Sequence, residues 1–200
     1  MTTLLIHDGA ADPLAPTPRT GGVPLVPEGF AWPECGECEG AMQFLAHLPL
    51  DTDVVAVFQC QNDPGLCDEW DATGGGNKAF RFAAEGLVPA VVPEEGETRL
   101  GAVSALRAER VAADGFAEAL DQWADGGGEP RLVQGQLGGA PAWVQGDETP
   151  DCPACTAPMA FAAQLEEGHD HATAANFGGG GIGYVFTCGD CREAAFLWQC

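Results

Sequence analysis

One short pattern occurs twice in this chain: ECGECEGAMQF at 34–44 and DCPACTAPMAF at 151–161. In each copy a Cys-x-x-Cys pair is followed by Met-x-Phe, the spacing that puts two apolar side chains on one face of a strand. Aligned at a constant offset of 117 without a gap, residues 21–48 and 138–165 are identical at 11 of 28 positions. Among these are Gly21/Gly138, Pro33/Pro150, Cys35/Cys152, Cys38/Cys155, Met42/Met159 and Phe44/Phe161. The match resumes at VVAVFQC, ending at Cys60, against IGYVFTC, ending at Cys188, so the second copy carries 11 extra residues. These fall in the polar, Gly-rich stretch LEEGHDHATAANFGGGG, which reads as an inserted loop.

The chain therefore divides into repeat 1 (21–72), a spacer (73–130) and repeat 2 (135–200), expected to form one domain over 1–200. Each repeat is too small to bury its own strands, so the two should pack as pseudo-symmetric halves. In the spacer, AFRFAAEGLVPAVVP reads as two short strands around a Gly turn. Residues 101–125 read as helix, with Phe116, Leu120 and Trp123 on one stripe and Gly115 as a break within it. GGGEP at 126–130 ends it. The expected fold class is α+β: short antiparallel strands in two pseudo-symmetric tandem repeats with zinc-ribbon-like knuckles, and a partly helical spacer.

The cysteine spacing carries the chemistry. Cys152-x2-Cys155 and Cys188-x2-Cys191 form two knuckles a few tens of residues apart, the zinc-ribbon signature. A two-residue gap lets one tight turn present two sulfurs to one ion. The competing readings are an empty or degenerate knuckle and a redox pair. Repeat 1 offers Cys35, Cys38, Cys60 and Cys67; the six-residue gap between the last two holds the turn-rich QNDPGL. Its rivals are a site lost to drift and a ligand exchanged between repeats. Two structural Zn2+ ions are the expected cofactors. Four protein ligands leave no position for water, so a closed site works in folding rather than catalysis. The ninth cysteine, Cys200, stands apart.

Other catalytic signals are thin. His169-x-His171 with Asp170 is a solvated loop or a labile metal site, and His7 and His47 lack the context of a general base. The runs GGG at 74–76 and GGGG at 178–181 lack the flanking Lys or helix start of a phosphate cradle. The tryptophans near the knuckles read as core, with a groove between the halves as the alternative. Thirty Asp and Glu against eight Lys and Arg give a formal net charge of −22. Such a surface repels a phosphate backbone and favours a basic protein or peptide, or simply serves solubility. A membrane helix or basic signal segment is not evident, so a cytoplasmic protein with reduced thiols is expected.

The segments GGVPLVPEGFAWPECGECEGAMQFLAHL, LGGAPAWVQGDETPDCPACTAPMAFAAQL and NFGGGGIGYVFTCGDCREAAFLWQC resemble the YwqG-like family, bacterial proteins without an established activity. More distantly, LGGAPAWVQ, CPAC and YVFTC resemble the programmed cell death protein 2 family, whose members act as dedicated chaperones of a small-subunit ribosomal protein. This chain lacks that family's long insertions. The resemblance implies a non-enzymatic, chaperone-like module that holds a basic partner on an acidic surface between the repeats. An enzyme with an unrecognised site in the inter-repeat cleft, and an immunity-type protein that masks a toxin, are the alternatives.

Overall fold

Apolar residues placed every second position give the chain its strands, and a bulge repeated in both halves gives the sheet its curl. The computed structural model describes residues 1–94, 103–168 and 175–200. Its strands are β1 (Thr2–Ala10), β2 (Arg19–Thr20), β3 (Leu25–Val26), β4 (Gln43–Leu50), β5 (Asp53–Gln59), β6 (Asn77–Ala83), β7 (Val88–Pro89), β8 (Ser104–Val111), β9 (Val133–Leu137), β10 (Ala160–Glu166), β11 (Ile182–Thr187) and β12 (Ala194–Gln199). Ten of them form one antiparallel sheet in the order β12-β11-β10-β9-β1-β8-β2-β4-β5-β6, while β3 and β7 pair separately. The two edge strands, β12 and β6, lie side by side, so the sheet curls almost into a barrel.

The order is symmetric about the β1–β8 pair: β4, β5 and β6 on one side answer β10, β11 and β12 on the other. The bulge falls at Leu45 in β4 and at Ala162 in β10, one offset of 117 apart. Each bulged carbonyl accepts from the first glycine of its repeat, Gly21 N–H at 2.9 Å and Gly138 N–H at 2.8 Å. A bulge sharpens local twist, and two of them at matching places bend the sheet toward closure. Inside lie Leu5, Leu48, Val55, Val57, Leu165, Val185 and Phe196. Residues one step along the same strands, such as Phe58 in β5 and Phe186 in β11, face outward under separate small cores. Strand β5 is buried on both faces, which explains its unbroken apolar run.

The α+β assignment is overturned: the molecule is built mainly of β-strands, and its α-helix among the described residues is α1 (Phe116–Asp125), beside a 3-10 turn at Pro130–Leu132. The first half of the expected helix is strand β8, paired with β1 and β2. Ala, Leu, Arg and Glu favour helix locally, but the centre of the sheet supplies two ladders of backbone bonds, and tertiary pairing outweighs the few tenths of a kcal/mol per residue at stake. Gly115 is the cap of the helix rather than an interruption in it. Phe116, Leu120 and Trp123 pack as expected, against Leu4 and Ile6 on the outer face of β1. Strand β6, placed in the spacer on sequence grounds, is the third strand of the first half. His169 and His171 lie outside the described residues.

Candidate metal centres

Three of the four cysteine pairs close by the same local device. After the second cysteine, one residue takes a left-handed backbone: Glu39 at φ 59°, Thr156 at φ 60° and Arg192 at φ 58°. Its N–H bonds back to the first cysteine's carbonyl, from Glu39 to Cys35 at 3.1 Å, Thr156 to Cys152 at 2.8 Å and Arg192 to Cys188 at 3.1 Å. The first cysteine then donates its own N–H across the turn, Cys35 to Gly40, Cys152 to Ala157 and Cys188 to Glu193. With the backbone satisfied in this way, the turn points both sulfurs to one side.

The fourth pair is built differently. Cys60 N–H is held by Gly76 carbonyl at 2.7 Å, and a turn from Asp63 to Leu66, passing Gly65 at φ 78°, brings Cys67 back. The buried Glu69 carboxylate accepts from Gly65 N–H at 2.6 Å and steadies that turn. The glycine run at 74–76 serves the same cage, since Gly75 carbonyl accepts from Gly36 N–H at 2.9 Å. A Cβ on Gly76 would stand 2.6 Å from the Glu69 nitrogen, so only glycine fits.

All eight cysteines named from spacing are brought together, in two groups. The sulfurs of Cys35, Cys38, Cys60 and Cys67 lie within 4.8 Å of one another, and so do those of Cys152, Cys155, Cys188 and Cys191. Cys38 and Cys60 sulfurs are 3.6 Å apart, and Cys155 and Cys188 sulfurs 3.8 Å. Four sulfurs arranged tetrahedrally about 2.3 Å from a shared ion stand about 3.8 Å apart, so both cages have the dimensions of a tetrathiolate site. Among the described residues, two possible metal sites are present. No ligand is exchanged between repeats. Cys200 is exposed and belongs to neither cage.

Each cage contains one thiol prepared for ionisation by its own turn. Burial alone would raise Cys35, but N–H groups of Cys38 and Glu37 aimed at its sulfur outweigh that and hold it below the ordinary thiol value. Cys188 is brought down to about 7, first by the Cys191 N–H. Its neighbour goes the other way: Cys191 is pushed up to about 12, chiefly through its contact with Cys155 and then by burial. Burial drives Cys67 up as well. Such thiols ionise together only around a cation, which reverses the sign of the local field.

Sequence reasoning missed the groups around the sulfurs. Asn62 sends its side-chain amide to Cys60 sulfur at 3.4 Å, Cys38 sulfur at 3.7 Å and Ala41 carbonyl at 3.2 Å. The signal available was a polar residue two places after a ligand, which turns commonly carry. Around the second cage, Arg81 Nη1 donates to Cys188 carbonyl at 3.1 Å, a link between halves that sequence spacing does not encode. The GGGG run encloses a carboxylate of this chain: Glu167 accepts from the N–H groups of Phe177, Gly179 and Gly180. His47 is buried opposite Arg19 across β4 and β2.

No family model matches the chain, and no solved structure matches it. Sequence similarity is found to the uncharacterized protein YpfL of Salmonella typhimurium strain LT2, at 40% identity over 68 residues. That match takes in 32% of this chain and 14% of the Salmonella protein's length.

Proposed function

We propose that the protein is a non-enzymatic binding module, stabilised by two structural Zn2+ ions and holding a basic protein segment on its acidic surface. The observation that carries it is the closure of both cages. Eight of nine cysteines point inward at two sites with a full set of four protein donors each, which leaves no position for substrate or water on the metal. Zinc is the ion that a tetrathiolate of this size suits best. The metals would support folding, and the working surface would lie elsewhere.

The charge favours a basic partner. Two copies of a chain at −22 repel each other, as does any nucleic acid. Between the halves, the cavity lined by Thr20, Leu45, Gln134, Leu165 and Phe177 has only about 30 Å³, room for a water. An open groove of about 580 Å³ lies instead beside the first cage, walled by Trp32, Ala41 and Pro93 and rimmed by Glu34, Glu39 and Glu94. An extended Lys/Arg segment can rest its aliphatic stems on such walls while its charges meet the rim. The resemblance to a chaperone family supports the same reading.

The test uses the purified metal-loaded chain and a fluorescent twelve-residue peptide of alternating Arg, Lys and Leu, followed by anisotropy. Metal analysis should find two zinc ions per chain. The peptide should bind at low salt and weaken as salt rises. Replacing Glu34, Glu39 and Glu94 with Gln should weaken it about tenfold, each rim charge being worth a few-fold. Replacing Glu85, Asp121 and Asp125 with the corresponding amides, the same loss of charge elsewhere, should leave it nearly unchanged. No peptide binding by the unmodified chain at low salt would defeat the proposal.

A further inference from the structure

The two cages are not equally protected. In the first, Cys35, Cys60 and Cys67 are buried and Cys38 is half-buried, with the Asn62 amide laid over the Cys38 and Cys60 sulfurs. In the second, Cys152 and Cys188 are buried and Cys191 is half-buried like Cys38, but Cys155 is exposed. The Cys155 sulfur sits 3.8 Å from that of Cys188, which belongs to the other knuckle of the same cage. Cys188 and its neighbours also hold the seam of the sheet. Arg81 of β6 donates to the Cys188 carbonyl, and Arg192, which closes the Cys188 turn, binds Asp53 of β5 at 2.6 Å.

On the reading of both cages as zinc sites, we infer that the second cage is a modification site for hydroperoxides, where oxidation of Cys155 and Cys188 to a disulfide expels the metal and loosens the seam. The Cys155 thiolate attacks one oxygen of hydrogen peroxide. The O–O bond breaks, the other oxygen leaves as hydroxide, and Cys155 becomes a sulfenic acid. Cys188 then attacks the Cys155 sulfur, an S–S bond forms, the S–O bond breaks and a second hydroxide departs. Two solvent protons convert both hydroxides to water. The two sulfurs have given up two electrons to the peroxide, and Zn2+ leaves with its charge unchanged because only two thiolate donors remain. Forming the bond draws the sulfurs from 3.8 Å to about 2.05 Å, which the turns that carry them must follow. The Cys188–Arg192 turn then loses the anchor that positions its carbonyl and its guanidinium against β5 and β6.

The experiment treats the zinc-loaded chain with excess hydrogen peroxide and follows metal release with a chromogenic chelator, while peptide mass mapping locates the oxidised cysteines. One equivalent should leave at least about tenfold faster than the other, as exposure governs thiolate oxidation. A Cys155–Cys188 disulfide should appear at the same rate, and dithiothreitol with added zinc should restore two metals. Amide exchange should rise at 77–83 and 194–199 after the first release. Release of both metals at one rate, oxidation of Cys35, Cys38, Cys60 or Cys67 first, or unchanged exchange along the seam would each overturn the inference while leaving two metal sites intact. A chain purified without metal would instead overturn the zinc reading beneath it.

Discussion

Asp53 Oδ1 stands 2.6 Å from Arg192 Nη2, so a carboxylate on β5 of the first half grips the residue that closes a cysteine turn in the second. The other oxygen of Asp53 accepts from Arg81 of β6 at 2.7 Å, and Arg81 reaches on to the Cys188 carbonyl. The carboxylate side chain is only 4% exposed, whereas Arg192 is 58% exposed. Burial opposes ionisation of Asp53, but the hydrogen bonds and charges of Arg192 and Arg81 outweigh it and hold its pKa below the ordinary value.

Asp53→Asn should therefore cost about 2–3 kcal/mol in urea unfolding, because Arg81 is left partly buried without its anion. Arg192→Ala should cost less than about 1 kcal/mol, as its guanidinium is mostly solvated. The sign with pH follows from the depressed value. The unfolded carboxylate takes its proton first, so the advantage over Asp53→Asn is complete above the ordinary carboxylate range. It fades on acidification through the folded-state value. Unfolding of both proteins between pH 6 and pH 3 measures it; an advantage that fades above pH 5 would contradict it.

A second buried polar pair occupies matching places in the two halves with different chemistry. Arg19 faces His47 between β2 and β4, and Gln136 faces Gln164 between β9 and β10, each residue 117 positions from its counterpart. Arg19 spends its guanidinium on the carbonyls of Ala15, Gly21 and Val23. Burial, and then the charge of Arg19, bring His47 down to about 4. Here the folded state stays neutral while unfolded histidine, at 6.5, takes up a proton. Stability is complete above pH 6.5 and falls toward pH 4, by up to about 3 kcal/mol. His47→Gln, which copies the second half, should remove most of that slope while changing stability at pH 7.5 by less than about 1 kcal/mol. An undiminished slope would place the titration elsewhere.

The two cysteine groups were legible because tetrathiolate chemistry demands short-range spacing: two sulfurs on one turn need a fixed gap, and a duplicated gap marks itself. Cys67 could be assigned only through the turn residues before it. The strands β4, β5, β10 and β11 were legible as alternating or unbroken apolar runs. Strand β8 was not, because SALRAERV is composed of good helix formers and its conformation is set by β1 and β2, about 100 and 85 residues distant. Nor could the Arg81–Asp53–Arg192 link be read, since it depends on how the sheet closes on itself.

Asn62 gives the first cage a partner that the second lacks at the corresponding place. An amide donating to thiolate sulfur stabilises the bound state and orients the ligands, and loss of such partners commonly costs ten- to a hundredfold in metal affinity. Asn62→Ala should weaken metal binding at the first cage by about tenfold in a competition with a chromogenic chelator and leave the second cage unchanged. Equal weakening of both sites would mean a global loss of stability rather than a local contact.

Thr156 bears the strain of its turn. It is a β-branched residue at φ 60°, where a side chain costs about 1–2 kcal/mol relative to glycine. Its side chain is exposed, so little packing is lost by removing it. Glycine does lose more backbone freedom on folding, by about 0.5–1 kcal/mol, and this offsets part of the gain. Thr156→Gly should raise stability by about 0.5–1 kcal/mol without changing the metal content. Thr156→Pro, whose φ is fixed near −65°, cannot close the turn and should abolish metal binding at the second cage. Thermal unfolding with metal analysis of the two variants decides it, and a stabilised proline variant would show that the turn does not require the left-handed residue.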